Sequence, residues 1–251
     1  MNSITLKNNI SLFKKILETI KNYSNIINIK FTKNNLELQI IDDIKINIIN
    51  IILKIDYFEK FNIDFEILIT LNINDLNKIF KMLNKTNIIT LNLKKNNNIL
   101  NIYSDYNENI KKIFKITLLD TNYEWINISN LNINNSLLIN LESKFLYNIF
   151  NELNVFSNDL IIKKTNNEIL NFIAEDKINN LYSEYKIKIL NNIHNINLII
   201  SLSYLTNFKL LNNFKYSELY LSNDNPLYIK LNDDIINIDY IQAPKINDIE
   251  F

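Results

Sequence analysis

Lysine is the residue type in this chain whose spacing suggests a binding function, because its ammonium groups recur on one side of two predicted helices. Lys78, Lys81 and Lys85 follow one another at intervals of three and four residues, which places them on a single helix face. Lys14 and Lys15 lie away from the apolar residues of an earlier predicted helix. Such faces can attract a polyanion even though the formal net charge of the chain is zero. An ordinary solvated helix face is the alternative interpretation.

The absence of arginine limits what these lysines can recognise. Bidentate recognition of guanine is mainly the work of arginine, whereas lysine acts as a flexible point charge on phosphates. Any contact with nucleic acid should therefore be independent of base sequence and strongly weakened by salt.

Other absences exclude whole classes of enzyme. The chain has no glycine and no cysteine, and His194 is its one histidine, so phosphate-binding loops, thiolate metal sites and disulfides are ruled out. Acidic pairs occur at Asp42-Asp43, Glu175-Asp176 and Asp233-Asp234, but no nucleophile accompanies them. The sequence predicts no catalytic residue, no metal site and no cofactor.

The apolar segments do not have the form of a leader or a membrane span. Met1 to Lys7 lacks the apolar run of a signal peptide, and lysines and asparagines interrupt the stretch from Ile44 to Ile55. We expect a soluble, intracellular protein without redox chemistry.

Four segments have the apolar period of a helix, and four pairs of strand-like runs flank asparagine-rich turns. The helices are predicted at Ile10–Tyr23, Asp75–Leu83, Ser143–Leu153 and Leu202–Asn212, with Asn9 and Asn74 as candidate N-caps of the first two. The hairpin turns are predicted at Asn34-Asn35, Asn96-Asn97, Asn166-Asn167 and 223–226. Because glycine is absent, asparagine is expected to supply the positive φ of these turns.

The order helix, hairpin, strands, helix, hairpin, strand occurs twice along the chain. This predicts an N-terminal domain over 1–118, a connector over 119–135 and a C-terminal domain over 136–251. The fold class is predicted as α+β, with two similar domains that each carry two helices on one face of antiparallel sheets.

Short segments spread from end to end resemble the sliding clamps of the proliferating cell nuclear antigen family. They include Ser11–Ile20 (SLFKKILETI), Asn72–Lys81 (NINDLNKIFK), Tyr204–Phe208 (YLTNF) and Ala243–Ile246 (APKI). The order and spacing of these segments carry the resemblance.

The resemblance implies a DNA clamp, which is a closed ring of three subunits around duplex DNA. Residues 110–118 of one chain would pair with residues 177–188 of the next. Such clamps have no catalysis of their own and act in DNA replication and DNA repair in the nucleus. The implied partners are double-stranded DNA bound without sequence preference, two further copies of the chain (a homotrimer), DNA polymerase, the clamp loader and other proteins with short clamp-binding peptides. No membrane is involved.

Two sets of residues follow from the resemblance, with Lys85 added from its helical spacing and Lys209 and Lys215 from their nearness to basic positions of the family. The predicted DNA-facing residues are Lys14, Lys15, Lys21, Lys78, Lys81, Lys85, Lys209 and Lys215. The predicted partner-peptide groove comprises Ile41, Ile46, Ile48, Ile126, Ile128, Pro226, Ile241, Ala243, Pro244 and Ile246.

Several positions depart from the family pattern. Asn148 and Asn151 replace basic residues of the third helix, so that helix should attract DNA less. Asp43-Ile44-Lys45 replaces Ser-Ser-His beside the groove, which bears on the choice of partner. Three alternatives stay open: a subunit of a heterotrimeric checkpoint-type clamp, a protein-interaction scaffold that does not bind DNA, and an enzyme that uses Asp42 and Asp43.

Overall fold

The computed structural model describes residues 1–84, 87–107, 110–120, 125–128, 136–164, 168–189, 195–223 and 225–245. The chain divides into two units, and each of them contains a short segment from the other half of the sequence. The first unit comprises Met1–Lys45, Ile49–Ile126 and Asp233–Ile238, and the second comprises Ile46–Ile48, Asn127–Asn232 and Asp239–Phe251. The predicted boundaries of the two domains and the connector stay a prediction.

The first unit contains two helices and two groups of strands. Its elements are β1 (Asn2–Leu6), α1 (Ile10–Ile20), β2 (Ile26–Phe31), β3 (Asn35–Ile41), most of β4 (Asn47–Lys54), β5 (Lys60–Asn62), β6 (Ile67–Asn72), α2 (Ile73–Met82), β7 (Ile88–Leu93), β8 (Ile99–Asn107) and β9 (Ile110–Thr117). The strand orders are β5-β1-β7-β8-β9 and β4-β3-β2-β6. The helices pack together through Phe13 and Phe80, whose ring centroids are 4.8 Å apart.

The second unit has the same kinds of element. It contains β10 (Leu137–Glu142), α3 (Ser143–Leu153), β11 (Asp159–Lys164), β12 (Ile169–Asp176), β13 (Leu181–Lys188), β14 (Ile196–Ser201), α4 (Leu202–Asn207), β15 (Tyr216–Leu221), β16 (Leu227–Asn232) and part of β17 (Ile236–Gln242). The strand orders are β13-β12-β11-β14 and β10-β15-β16-β17. The predicted α+β class with antiparallel sheets is confirmed.

The helices form where the apolar period predicts them, with corrections at their ends. In α1 the residues Ile10, Phe13, Ile16, Leu17 and Ile20 are all buried. Asn9 precedes α1 but makes no capping hydrogen bond through its side chain. The N-cap of α2 is Asn72 and not Asn74, because the Asn72 side chain accepts a hydrogen bond from the backbone N–H of Asn74 at 2.9 Å.

The fourth predicted helix is in fact two pieces. α4 ends at Asn207, and a 3₁₀ turn occupies Lys209–Asn213. Phe208 between them has φ −80° and ψ 62°, which is not helical. Its buried ring lies 4.7 Å from that of Tyr240, so tertiary packing sets the break.

All four predicted hairpins are present as antiparallel pairs, but the expected left-handed asparagine occurs in only some of the described turns. Asn96 has the predicted positive φ of 59°, and Asn34 and Asn35 do not. The Thr32 hydroxyl accepts hydrogen bonds from the N–H groups of Asn34 and Asn35, which satisfies that turn without a left-handed residue. Asn166-Asn167 lies outside the described residues. None of the helices in the described ranges is long and apolar enough to cross a membrane.

Candidate nucleic-acid interface and partner surface

The cationic face of the first unit lies on α1 and α2. Lys15, Lys78 and Lys81 are exposed on the sides of these helices opposite the buried apolar residues. Lys78 pairs with Asp75 at an Nζ–Oδ1 distance of 3.2 Å, but both side chains are exposed, so the pair contributes little and leaves the lysine free to exchange partners. The two packed helices therefore present three solvated ammonium groups on one unit.

Two further lysines of this face, Lys14 and Lys21, are half-buried against the protein. Lys14 is half-buried, and its ammonium group donates a hydrogen bond to the backbone oxygen of Leu83, the C-cap residue of α2. Lys21 is half-buried at the C-cap of α1. Lys85 lies outside the described residues.

The helices of the second unit carry fewer cations. Lys209 is exposed on the 3₁₀ turn, and the ammonium of Lys215 lies 5.1 Å from the ring centroid of Tyr216. Asn148 is exposed on α3, and the Asn151 side chain donates a hydrogen bond to the backbone oxygen of Tyr147 at 2.7 Å. α3 therefore has one exposed lysine, Lys144, and amides at positions 148 and 151.

The groove residues of the first unit meet at β3. The backbone of Ile126 makes two hydrogen bonds with the side chain of Gln39, so the predicted connector (119–135) contacts this strand at residue 126. Ile41 is half-buried two residues further along β3, and Ile126 is 38% exposed. Ile41 and Ile126 are therefore two apolar side chains held near the same strand.

The groove residues of the second unit lie beside the end of β17. The backbone N–H of Ala243 donates to the backbone oxygen of Ile46 at 2.9 Å. Ala243, Pro244, Ile46 and Ile48 are half-buried. Ile241 is only 4% exposed, so its side chain offers little surface to a partner.

The remaining groove residues are more scattered. Ile128 is half-buried, and Pro226 is half-buried in the turn before β16. Ile246 lies outside the described residues. Ile44, one of the residues that depart from the family pattern, is 63% exposed, and Lys45 beside it has φ 57°. Positive φ was expected only at asparagine residues in turns, so the left-handed backbone of Lys45 was not predicted.

One edge strand of each unit carries exposed apolar side chains. β9 is the last strand of its sheet and exposes Ile110 and Ile113, and β13 is the last of its sheet and exposes Leu181 and Tyr182. Beside β9, an open cleft of about 820 Å³ is lined by Ile79, Met82, Ile113 and Leu119 among others.

The acidic residues that the structure describes do not assemble into a metal site. Asp42 is buried and Asp43 is exposed. Within the described ranges there is no group of three or more His, Cys, Asp or Glu side chains that could hold a metal ion.

The second unit contains a buried tyrosine–carboxylate pair. The Tyr228 hydroxyl donates to Asp239 Oδ1 at 2.5 Å, and both side chains are buried. The Tyr228 ring stacks on Tyr220 with centroids 5.0 Å apart. Desolvation, and then the hydrogen bond to Asp239, raises the pKa of Tyr228. Desolvation, followed by the hydrogen bond to Glu218, raises the pKa of Tyr220 to about 12.

The raised tyrosine pKa values predict a loss of stability at alkaline pH. Above about pH 10 tyrosines of the unfolded chain ionise while Tyr220 and Tyr228 stay neutral in the fold, so the free energy of unfolding should fall as pH rises from about 10 towards 12. Tyr228→Phe should cost about 1–3 kcal/mol at pH 8, because it leaves the Asp239 carboxylate buried without this donor, and it should flatten the alkaline decline. Urea unfolding midpoints at pH 8 and 11 measure both effects. Tyr216→Phe, at an exposed tyrosine, is the matched control, and an equal decline in Tyr228→Phe and the wild type would contradict the prediction.

Comparison with known proteins bears directly on the family. A family model described as the proliferating cell nuclear antigen N-terminal domain matches residues 2–125. Proliferating cell nuclear antigen 1 of Plasmodium falciparum is 29% identical over 161 residues, which are 64% of this chain and 59% of that relative. Proliferating cell nuclear antigen of Saccharomyces cerevisiae is 22% identical over 169 residues, which are 67% of this chain and 64% of that relative.

These matches cover less than two thirds of each relative, since the chain spans 59% and 64% of their lengths. The matched family model ends at residue 125, close to the end of the main part of the first unit at Ile126. Residues 2–125 match the N-terminal domain of the proliferating cell nuclear antigen family, and the sequence matches and the α+β architecture together support membership of that family.

Proposed function

We propose that this protein is a DNA sliding clamp that encircles duplex DNA and tethers DNA polymerase and other replication and repair proteins. The observation that carries the proposal is the exposed lysine face on the packed helices α1 and α2, in a chain whose residues 2–125 match this family. Because the chain has no arginine, the contact is made with phosphates and not with base edges. The clamp needs no catalysis of its own and works in the nucleus.

Ring closure is proposed to use the edge strands of the two units. In a homotrimer, β9 of one chain pairs with β13 of the next, which covers the exposed Ile113 and Tyr182 and removes two unpaired sheet edges. Lys111, Lys112 and Lys115 on β9 also discourage uncontrolled pairing of the free edge before assembly.

The partner surface is proposed to take short peptides with aliphatic and aromatic anchors. Two sets of apolar residues, one beside β3 in the first unit and one beside β17 in the second, each have the composition of a peptide-binding surface. Clamp loaders and polymerases would use this same surface in turn.

A single experiment tests the clamp. Purified protein is loaded by its clamp loader onto nicked circular DNA and onto linear DNA of equal length, and retention is measured after dilution into competitor DNA. A clamp stays on the circle and slides off the free ends. Equal loss from both substrates would overturn the proposal and favour a scaffold that does not enclose DNA. Self-assembly of the pure chain of 29.8 kDa into a species of three subunits would exclude the heterotrimeric alternative.

Asn148→Lys should strengthen the contact with DNA. The substitution adds an ammonium group at an exposed position of α3, where the second unit has an amide. The salt slope of log affinity should become steeper by about 0.9 for each phosphate neutralised. Fluorescence anisotropy with duplex DNA between low and moderate salt measures the slope. Asn232→Lys, at an exposed position at the end of β16, is the control, and equal slopes for both variants would show that α3 does not face the DNA.

A further inference from the structure

The side chain of Gln39 makes two hydrogen bonds with the backbone of a residue 87 positions away. Gln39 Nε2 donates to the Ile126 carbonyl oxygen at 2.8 Å, and the Ile126 N–H donates to Gln39 Oε1 at 2.9 Å. Only this orientation of the carboxamide pairs a donor with an acceptor at both ends. Gln39 is 1% exposed, so its carboxamide has no water as a ready substitute for these two hydrogen bonds.

The side chain of Gln39 makes the two hydrogen bonds that the backbone of a neighbouring strand would otherwise make with Ile126. An added strand would satisfy the N–H and C=O of Ile126 through backbone groups at a sheet edge, whereas Gln39 satisfies them from β3, which has a strand on either side. Trp125 and Ile126 can therefore lie over a sheet face of their own unit. The bonds also fix the register of this segment, because only one of its residues can face the carboxamide at a time.

A second contact holds the neighbouring residue on the same hairpin. The ammonium of Lys30 lies 5.6 Å from the ring centroid of Trp125, within the range of a cation–π interaction. Lys30 pairs with Glu37 in the β2–β3 register, and Glu37 and Gln39 share one face of β3. The two contacts therefore hold consecutive residues of the segment at adjacent positions of one surface.

We propose that Gln39 is a positioning residue that holds the connector on β3 at residue 126 and so presents Ile126 to a partner peptide. The proposal rests on the partner surface proposed above. Ile126 and Ile41 supply the apolar contacts on this side of the peptide site. Because Gln39 holds the segment in place before the peptide arrives, less conformational entropy is lost on binding.

The test uses Gln39→Leu, which keeps most of the side-chain volume and removes both hydrogen bonds. Trp125 is the one tryptophan of the chain, so its fluorescence reports directly on the position of the segment. In the full-length protein we expect a red-shifted emission and stronger quenching by acrylamide. The affinity for a fluorescein-labelled short peptide with aliphatic and aromatic anchors should fall about tenfold, as expected for the loss of one to two hydrogen bonds. The oligomeric state and retention on circular DNA should not change.

Two further variants separate positioning from general damage. Gln39→Glu keeps one acceptor for the Ile126 N–H and should give an intermediate loss of affinity. Glu37→Gln alters the next side chain on the same face without touching the pair and should bind peptide as the wild type does. Unchanged Trp125 fluorescence in Gln39→Leu would overturn the anchoring, and altered fluorescence with full peptide affinity would overturn its role in presenting Ile126. If the wild type binds no such peptide while Gln39→Leu frees Trp125, the partner surface is overturned and the anchoring of the segment is supported.

Discussion

Ile113→Asp should convert the proposed ring into single chains. Ile113 is 58% exposed on the edge strand β9, so the change does not disturb the core of the monomer. In the ring the aspartate would be buried against the neighbouring subunit without a partner, and the apolar contact would be lost as well. Together these effects cost at least about 3 kcal/mol at each interface, or more than a hundredfold in affinity. Light scattering coupled to gel filtration should show the mass fall from three subunits to one subunit of 29.8 kDa.

Ile55→Asp is the control for this change. Ile55 is 46% exposed but lies on the 3₁₀ turn Ile55–Tyr57 and not on β9 or β13, so this variant should assemble as the wild type does. A thermal unfolding scan checks that both variants are folded. If Ile113→Asp still forms a complex of three subunits, then β9 is not the assembly edge.

Removing three charges from the helices should release the clamp from DNA. Lys15→Gln, Lys78→Gln and Lys81→Gln together keep the length of the side chains and abolish the exposed ammonium groups on α1 and α2. Because each phosphate contact adds about 0.9 to the salt slope, the triple variant should lose about tenfold or more in affinity for duplex DNA and show a shallower dependence on salt. Polymerase stimulation on a circular template should fall in parallel.

The control removes the same charge elsewhere on the first unit. Lys33→Gln, Lys60→Gln and Lys95→Gln change three exposed lysines that lie outside the helices. If the two triple variants bind DNA equally, the effect is one of net charge alone. If neither variant differs from the wild type, the lysine face is an ordinary solvated surface and the scaffold without DNA binding becomes the better interpretation.

Local pattern was a good guide to the elements and a poor guide to the contacts between them. The apolar period of α1 and α3 predicts these helices and their buried faces, because burial of one stripe is what makes a helix stable in a fold. The break at Phe208 depends on Tyr240, which lies 32 residues later in the sequence and cannot be read from the segment itself.

The same contrast holds for the candidate site. The lysine spacing on α2 predicts an exposed cationic face, and the structure has Lys78 and Lys81 there. The pairing of Gln39 with Ile126 has no signal in the sequence, since a single glutamine in a strand is compatible with either face and with any partner. The hydrogen bond from Lys14 to Leu83 cannot be predicted from the sequence either, because its acceptor is a backbone oxygen, which every residue has.

The position of Lys14 couples the electrostatics of the helix face to the integrity of α2. The last carbonyl groups of a helix carry the negative end of its macrodipole, and Leu83 is the C-cap residue of α2. The ammonium group of Lys14 neutralises part of that negative end from a neighbouring helix. A neutral residue at position 14 therefore removes a counter-charge from α2 as well as a cation from the surface. Selection on this lysine would act through the stability of α2 even in a lineage in which its charge no longer contacted DNA.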